Sequence, residues 1–196
     1  FLAGDYAYKL KKPVDFGFLD FTTPEKRRAA CADEVRLNAR LAPDFYLGVV
    51  PVCRSEAGYR VRPQGCAPGE TEAEVLVHMR RFPQDGLLDH LAMTGQLTPD
   101  IMTDIAHQLA RFHAAAGRGP DIDQFGSVDS VRTPIMQNFV QTRPYIGRTV
   151  SAATHAHLQS WAETFLRTHA GLFSERVHAG KIVDGHGDLH LRNMCK

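Results

Sequence analysis

The apolar residues in the first part of the chain recur at the spacing of β-strands. Residues 6–11, YAYKLK, alternate and carry aromatic side chains, which predicts a strand with Lys9 and Lys11 on one face. Three further runs of strand-forming residues are separated by glycine and proline turns: LGVVPVCR, GYRVRP and AEVLVHMRRF. The pattern therefore predicts a β-sheet in the first part of the chain.

A helix is predicted between the first strand and the later three. It begins either with Thr23 as N-cap and Pro24 at the first helical position, or with a capping box formed by Thr22 and Glu25. It is expected to end before Pro43, because the residue before a proline disfavours helical geometry.

One face of this helix carries an acidic residue among apolar ones: Ala30, Glu34, Leu37 and Leu41. We expect this stripe to pack on the sheet. A buried carboxylate is costly unless it is paired, and Lys9 and Lys11 on the preceding strand could supply the partner. The alternative is a slightly rotated helix with Glu34 at its rim.

After Pro83 the pattern of apolar residues becomes helical. Residues 98–117 and 151–176 predict two long helices, the first with a continuous apolar stripe. Residues 117–148 are rich in glycine and proline and ambiguous, and residues 181–189 return to a strand-like pattern.

The change of pattern near Pro83 predicts two lobes with a cleft between them. Residues 1–82 would form an N-lobe with an antiparallel sheet and one helix, and residues 83–196 a mainly helical C-lobe. The predicted fold class is therefore α+β.

Composition and charge narrow the classes of function. The chain has 43% hydrophobic and 23% charged residues, as ordinary soluble globular proteins do. A formal net charge of +1 gives no argument for nucleic acid or an anionic membrane as a partner. The sequence has no apolar run of roughly 18–20 residues, the length of a membrane span, and no visible signal peptide. Phe1 is not an initiator methionine, which indicates an internal piece of a longer chain.

The four cysteines are scattered along the chain without a CxxC pair: Cys31, Cys53, Cys66 and Cys195. This spacing is typical of neither a zinc knuckle nor a disulfide framework. We therefore expect all four to be reduced thiols, in keeping with the cytoplasm.

The chain ends in a polar stretch that could carry chemistry, DGHGDLHLRNMCK. In one interpretation, His186, Asp188 and His190 alternate along a strand and bind a transition metal, as in a metal-dependent hydrolase. In a second, Asp188 accepts the proton of an attacking hydroxyl and Asn193 gives an oxygen ligand to magnesium, at the D-x-x-x-x-N spacing of kinases. In a third, the stretch is a polar turn without chemistry.

The residues HGDLHLRN resemble the catalytic loop of the aminoglycoside phosphotransferase-like kinases, which carry HGDxxxxN where protein kinases carry HRDxxxxN. The block from Tyr6 to about residue 50 is similar to a bacterial subgroup of that family, in which the kinase-like domain precedes a P-loop ATPase or sugar-kinase-like domain. VLVHMRRFP resembles the hinge between the lobes, and IAHQLARFHA the helix that follows. The resemblance covers most of the chain and is weakest in residues 117–148.

The resemblance implies a two-lobed protein-kinase-like fold and transfer of the γ-phosphoryl group of ATP to a hydroxyl on a small molecule, with Mg²⁺ as cofactor. Lys9, with Lys11 as the alternative register, would pair with the phosphates, and Glu34 would orient that lysine. Asp188 would be the catalytic base and Asn193 the magnesium ligand.

The resemblance also implies supporting roles for other residues. His186, with Gly187, would shape the catalytic loop. Met79, Arg80 and Arg81 would contact adenine through backbone atoms, so their side chains carry little information. His190 falls at a variable position of the motif and is expected to be a bystander on the loop.

Two parts of the family's pattern are absent from the sequence. A glycine-rich phosphate loop would lie before residue 1, and a second metal-binding aspartate would lie after Lys196. We therefore expect the 196-residue piece, truncated in both lobes, to be a weak kinase by itself, with a P-loop domain as its partner in the parent chain. The alternative is a non-catalytic nucleotide-binding or regulatory module. A parent chain without the second metal-binding aspartate would favour this alternative.

Overall fold

The structure is a computed structural model that describes residues 1–17 and 19–196. It forms two compact units. The first combines Phe1–Asp104 with His186–Lys196, and the second consists of Ile105–Gly185. The predicted mixture of helices with an antiparallel sheet is confirmed.

The first unit contains a five-stranded antiparallel sheet. Its strands in chain order are β1 (Leu2–Ala3), β2 (Tyr6–Leu10), β3 (Tyr46–Ser55), β4 (Gly58–Val61) and β5 (Thr71–Arg80). They lie side by side in the order β1-β2-β5-β3-β4, so β5 is central. Lys9 of β2 is directly opposite Val77 of β5, which places both side chains on one face of the sheet. All the strands predicted before Pro83 are therefore confirmed.

A helix packs on one face of this sheet. It is α1 (Pro24–Asn38), and Thr23 caps it as predicted, with its side-chain oxygen accepting a hydrogen bond from the backbone N–H of Lys26. The helix ends before Pro43, also as predicted. An apolar core joins the helix to β3 and β5. Its fully buried residues are Cys31, Val75 and Val77, and the partly buried residues packed against them are Val35, Tyr46, Val49 and Met79.

The helix face that packs on the sheet differs from the predicted stripe. Cys31 and Val35 lie in the core, whereas Ala30, Glu34 and Leu37 line a cavity beside the sheet. The prediction that this stripe packs on the sheet is therefore wrong, and the slightly rotated helix given as the alternative is the arrangement found. The rotation puts uncharged side chains into the core and leaves the Glu34 carboxylate beside Lys9 and Lys11, where it is paired.

Arg27 ties α1 to the sheet and to the segment that enters the helix. Its side chain is buried, and its Nε and Nη2 atoms lie 2.7 and 2.6 Å from Oε2 of Glu74 on β5. Its Nη1 atom donates to the backbone carbonyls of Phe21 and Thr22 at 2.9 and 3.2 Å. The guanidinium group is therefore paired in charge and bonded on several sides, as a buried cation must be.

The remaining elements are helical. They are α2 (Leu88–Met93), α3 (Pro99–Ala115), α4 (Pro120–Asp123), α5 (Val128–Thr142), α6 (Ala152–Thr168) and α7 (Ala170–His178), with 3-10 turns at Gln84–Gly86, Gln124–Gly126, Arg143–Tyr145 and Leu191–Asn193. Both long helices predicted after Pro83 are confirmed, the second with a break at His169. No helix in the described part of the chain is both long and apolar enough to cross a membrane.

The second unit is held together by helix packing. The buried ring of His155 on α6 places Nε2 3.2 Å from both the Thr142 hydroxyl and the Phe139 carbonyl of α5. Gly126 lies so close to Ile182 that an added Cβ atom would be 2.4 Å from that side chain. Ile182 thus packs against a helical turn. The predicted strand at residues 181–189 is wrong, because this segment forms no strand and Ile182 is used for helix packing instead of strand pairing.

Two of the four cysteines form a disulfide. Cys53 on β3 and Cys66 in the loop after β4 have Cα atoms 5.6 Å apart and are bonded through their sulfur atoms. Cys31 and Cys195 are free thiols. The prediction of four reduced thiols is therefore wrong for this pair. A hairpin turn and a loop bring together two cysteines that are 13 positions apart, and their spacing has no local signature.

We expect reduction of this disulfide to lower the free energy of unfolding of the first unit by about 2–3 kcal/mol, because the bond closes a loop of this size in the unfolded chain. Urea unfolding with and without a reductant measures the difference. A protein carrying both Cys53→Ala and Cys66→Ala should show the lower stability and no response to the reductant. Equal midpoints for the oxidised and reduced protein would contradict this prediction.

Candidate functional site

Two lysines converge on one carboxylate at the edge between β2 and α1. The Nζ atom of Lys9 lies 2.9 Å from Oε1 of Glu34, and Lys11 donates to Oε2 of the same carboxylate. The two lysines differ in their surroundings. The side chain of Lys11 is 13% exposed and its ammonium lies 5.3 Å from the centre of the Phe21 ring, whereas the side chain of Lys9 is 54% exposed. Lys9 is therefore the lysine that can also reach a ligand.

Glu34 is ionised at neutral pH despite its position. Burial favours the neutral acid, but hydrogen bonds from Lys11 and Lys9 outweigh burial, and the pKa of Glu34 lies below its ordinary value of 4.5. Burial and, secondarily, this negative charge raise the pKa of the neighbouring Tyr46. The carboxylate thus holds two ammonium groups in place over the whole neutral range.

The segment from His186 to Asn193 forms a tight polar loop. Gly187 has a φ of +82°, a left-handed conformation that other residues adopt at a cost of about 1–2 kcal/mol. This conformation turns the chain back, so that the backbone N–H of Asp188 approaches Nδ1 of His186 at 3.3 Å. A Cβ atom at Gly187 would meet nothing within 4 Å, so the backbone conformation alone accounts for the glycine.

Asp188 and Asn193 are bonded to each other across the loop. The amide nitrogen of Asn193 donates to Oδ2 of Asp188 at 2.9 Å and to the Asp188 carbonyl at 3.1 Å. The 3-10 turn Leu191–Asn193 provides the reversal that brings the two side chains together. These two bonds use neither Oδ1 of Asp188 nor Oδ1 of Asn193, and both of these oxygens can accept hydrogen bonds.

These groups line one cavity of about 520 Å³ in the first unit. Its polar lining includes Lys9, Lys11, Glu34, Asp188 and Asn193, and its apolar lining comes from Leu19, Phe21, Leu37, Tyr46, Phe82 and Leu87. The volume lies within the range of pockets for small molecules and cofactors. The chain therefore brings residues from its two ends, more than 150 positions apart, to one concave surface.

The charges around this cavity suit a polyanion bound together with a cation. Lysine and arginine side chains face it alongside three carboxylates: Lys9, Lys11, Arg40 and Arg192, with Asp33, Glu34 and Asp188. Ammonium and guanidinium groups bind phosphate oxygens well, and carboxylate and amide oxygens are the ligands that Mg²⁺ prefers. Asn193 thus offers an oxygen atom of the kind that Mg²⁺ prefers, on the same surface as Lys9 and Lys11.

The residues expected to contact adenine lie elsewhere. Met79 packs against the core, and the backbone N–H groups of Arg80 and Arg81 donate to the carbonyls of Phe45 and Asp5. Among the described residues that line the 520 Å³ cavity, none of these three appears, and Arg80 and Arg81 line a separate one. Their contact with adenine stays a prediction, and the N–H groups of the two arginines are already used within the protein.

The histidines of the loop are engaged in hydrogen bonds. His186 places Nε2 3.1 Å from Oδ1 of Asn38, and its Nδ1 accepts from Asp188. His190 accepts the N–H of Arg192 through Nδ1, and its Nε2 atom lies 3.8 Å from Oδ1 of Asp188. Across residues 1–17 and 19–196, no three His, Cys, Asp or Glu side chains form a group that could hold a metal ion. The structure therefore does not bring His186, Asp188 and His190 together as a metal site.

Sequence reasoning missed two residues of this site. Asn38, at the end of α1, binds His186, and Phe21 covers the ammonium of Lys11. One signal was available for Asn38, since it lies one helical turn after Glu34 and therefore on the same face. Phe21 lies in an irregular segment whose path no periodicity describes.

Comparisons with known proteins identify long relatives. No protein-family model matches the chain, and no solved structure matches it. The chain is 35% identical over 188 residues, 96% of its length, to "Uncharacterized protein Rv2004c" of Mycobacterium tuberculosis and equally to "Uncharacterized protein Mb2027c" of Mycobacterium bovis. It spans 35% of the length of each of these relatives.

Proposed function

We propose that this chain is the kinase-like part of an ATP-dependent phosphotransferase, related to the aminoglycoside phosphotransferase-like kinases, that acts on a hydroxyl group of a small molecule. One observation carries the proposal: the motif residues Lys9, Glu34, Asp188 and Asn193 line one cavity, with Lys9 paired to Glu34 and Asn193 bonded to Asp188. A purely structural role of the ion pairs would not explain why Asp188 and Asn193, which stand at the D-x-x-x-x-N spacing of kinases, line the same cavity.

In this proposal each side chain has a distinct role. Lys9 binds the phosphate oxygens, and Glu34 holds its ammonium in position. Lys11, enclosed by Glu34 and Phe21, keeps the carboxylate ionised and in place. Asp188 accepts the proton of the substrate hydroxyl through Oδ1, while Asn193 fixes the orientation of its carboxylate.

Magnesium would be held by the side-chain oxygen of Asn193, and when bound it would neutralise charge on the phosphates. Catalysis would then rest mainly on positioning and charge neutralisation, since phosphoryl transfer needs little covalent chemistry from the protein. The two-lobed kinase-like architecture, with lobes at residues 1–82 and 83–196, is part of the same proposal.

The cellular setting follows from the substrate. We place the protein in the cytoplasm, where ATP is available, with no role for nucleic acid or a membrane. The Cys53–Cys66 disulfide is uncommon for this compartment, since disulfides persist mainly in oxidising ones. A P-loop domain later in the parent chain stays part of the proposal, and the greater length of the mycobacterial relatives leaves room for one.

Separate lysine variants of the complete protein test the proposal. We expect Lys9→Met to weaken ATP binding by about 10- to 100-fold, the equivalent of one charge-assisted contact to phosphate. Lys11→Met should mainly lower stability, because its ammonium is enclosed and paired. Isothermal titration with Mg²⁺ and ATP measures the first effect, and urea unfolding the second.

Lys12 provides the matched control for this experiment. It lies on the same segment, exposed to solvent, outside the lining of the cavity, so Lys12→Met should bind ATP as the unchanged protein does. A complete protein that binds no ATP would refute the kinase proposal. One that binds ATP but transfers no phosphoryl group to any hydroxyl acceptor would favour the regulatory module.

A further inference from the structure

Asn38 makes two hydrogen bonds that connect helix α1 to the polar loop. Its amide nitrogen donates to the backbone carbonyl of Glu34 at 2.8 Å, and its Oδ1 lies 3.1 Å from Nε2 of His186. Because Oδ1 can only accept, Nε2 of His186 carries the proton and Nδ1 is the acceptor. That assignment agrees with the second contact of the ring, in which Nδ1 faces the backbone N–H of Asp188.

The other end of the loop is attached elsewhere in the same unit. The backbone N–H of Leu88 donates to the Met194 carbonyl at 3.0 Å, and the N–H of Lys196 donates to the Gly86 carbonyl at 2.9 Å. Asp188 lies between this attachment and the His186 ring, on a turn that contains a glycine. Its position relative to α1 therefore depends on the link between His186 and Asn38.

The same turn of α1 thus carries two anchors. Glu34 holds Lys9, and Asn38, four residues later, holds His186, whose ring in turn accepts the N–H of Asp188. A helical spacing of four places these side chains one above the other, so the distance between the lysine and the aspartate is set through one rigid element.

We infer that Asn38 is a positioning residue that sets the catalytic base Asp188 relative to the phosphate lysine Lys9, acting through the ring of His186. This inference rests on the proposed kinase function. Asn38 also lines the cavity, but in this role it acts through His186, so its loss should change the rate of transfer more than the binding of ATP. A displacement of about 1 Å at the reacting groups can lower a rate by about 100-fold.

Kinetics of the complete protein test the inference. Asn38→Ala should lower kcat by about 10- to 100-fold and change the Kd for ATP by less than about threefold. Asn38→Asp keeps an oxygen acceptor for Nε2 of His186 and should restore most of the lost kcat. The double variant Asn38→Ala with His186→Ala should be no slower than the slower of the two single variants, since both remove one link.

Asn138 supplies the control substitution. It is an exposed asparagine within α5 of the second unit, so Asn138→Ala should leave kcat and Kd unchanged. A kcat for Asn38→Ala within twofold of that of the unchanged, active protein would overturn the positioning role. Equal rates for Asn38→Ala and Asn38→Asp would do the same, because the acceptor oxygen would then not matter.

Amide hydrogen exchange separates this inference from the proposed function. In Asn38→Ala, backbone amides from Gly187 to Arg192 should exchange about tenfold faster than in the unchanged protein, with no such change in Asn138→Ala. If the complete protein transfers no phosphoryl group, the kinase proposal fails, while the exchange rates still report whether Asn38 holds the loop. Unchanged exchange in these residues would overturn the inference by itself.

Discussion

Asp188→Ala in the complete protein is expected to lower kcat for phosphoryl transfer by about 10²- to 10⁴-fold, the contribution of a positioned general base. ATP should still bind within about threefold of its original affinity, since the ammonium of Lys9 is untouched. In the structure, Oδ2 of Asp188 is occupied by the Asn193 amide, and this leaves Oδ1 to accept the proton of the hydroxyl. Single-turnover transfer of labelled phosphate separates the chemical step from binding.

Asp188→Asn sharpens this experiment. The substitution keeps the size of the side chain and a hydrogen-bond acceptor for Asn193, but removes the negative charge that accepts a proton. Both variants should therefore lose transfer, whereas Asp44→Ala, at an exposed position before β3, should not. Full activity in Asp188→Asn would refute the assignment of the base and leave Asp188 as a residue that orients Asn193.

Much of the first unit could be predicted from the sequence, because its signals are local. The alternation in residues 6–11 and the cap at Thr23 act over a few positions, and both features appear where they were expected. The sequence left the rotation of α1 open between two alternatives, because long-range contacts such as that of Arg27 with Glu74, 47 positions away, act on the helix as well. The disulfide depends in the same way on a loop whose path carries no periodic pattern.

In the candidate site, too, the local features could be predicted from the sequence and the long-range contacts could not. The pairing of Glu34 with Lys9 and Lys11 follows from an apolar helix face and an alternating strand, so the sequence contained it. The link from Asn38 to His186 joins positions 148 apart, and each residue is unremarkable in its own segment. A local pattern can identify which residues carry chemistry, while the hydrogen bonds that orient them depend on long-range packing.

Arg27→Ala should lower the free energy of unfolding of the first unit by about 3 kcal/mol. This is the largest effect on stability that we expect from the loss of a single side chain's contacts. Removing the guanidinium leaves Glu74 as a largely buried carboxylate without its partner, and removes two hydrogen bonds to the carbonyls of Phe21 and Thr22. Loss of one partner from a buried ion pair costs about 3–5 kcal/mol, and the partial exposure of Glu74 favours the lower end. Urea unfolding followed by far-ultraviolet circular dichroism measures the change.

Arg28, the next residue, is a control provided by the chain itself. It also pairs with a glutamate of β5, Glu72, but about half of its side chain is exposed to solvent. Exposed pairs contribute at most about 1 kcal/mol, so Arg28→Ala should cost far less than Arg27→Ala. Replacing both Arg27 and Glu74 by methionine should restore much of the lost stability, because neither charge is then left alone. Equal losses in the two arginine variants would show that burial of the Arg27 pair adds nothing, and that α1 is held on the sheet by its apolar core.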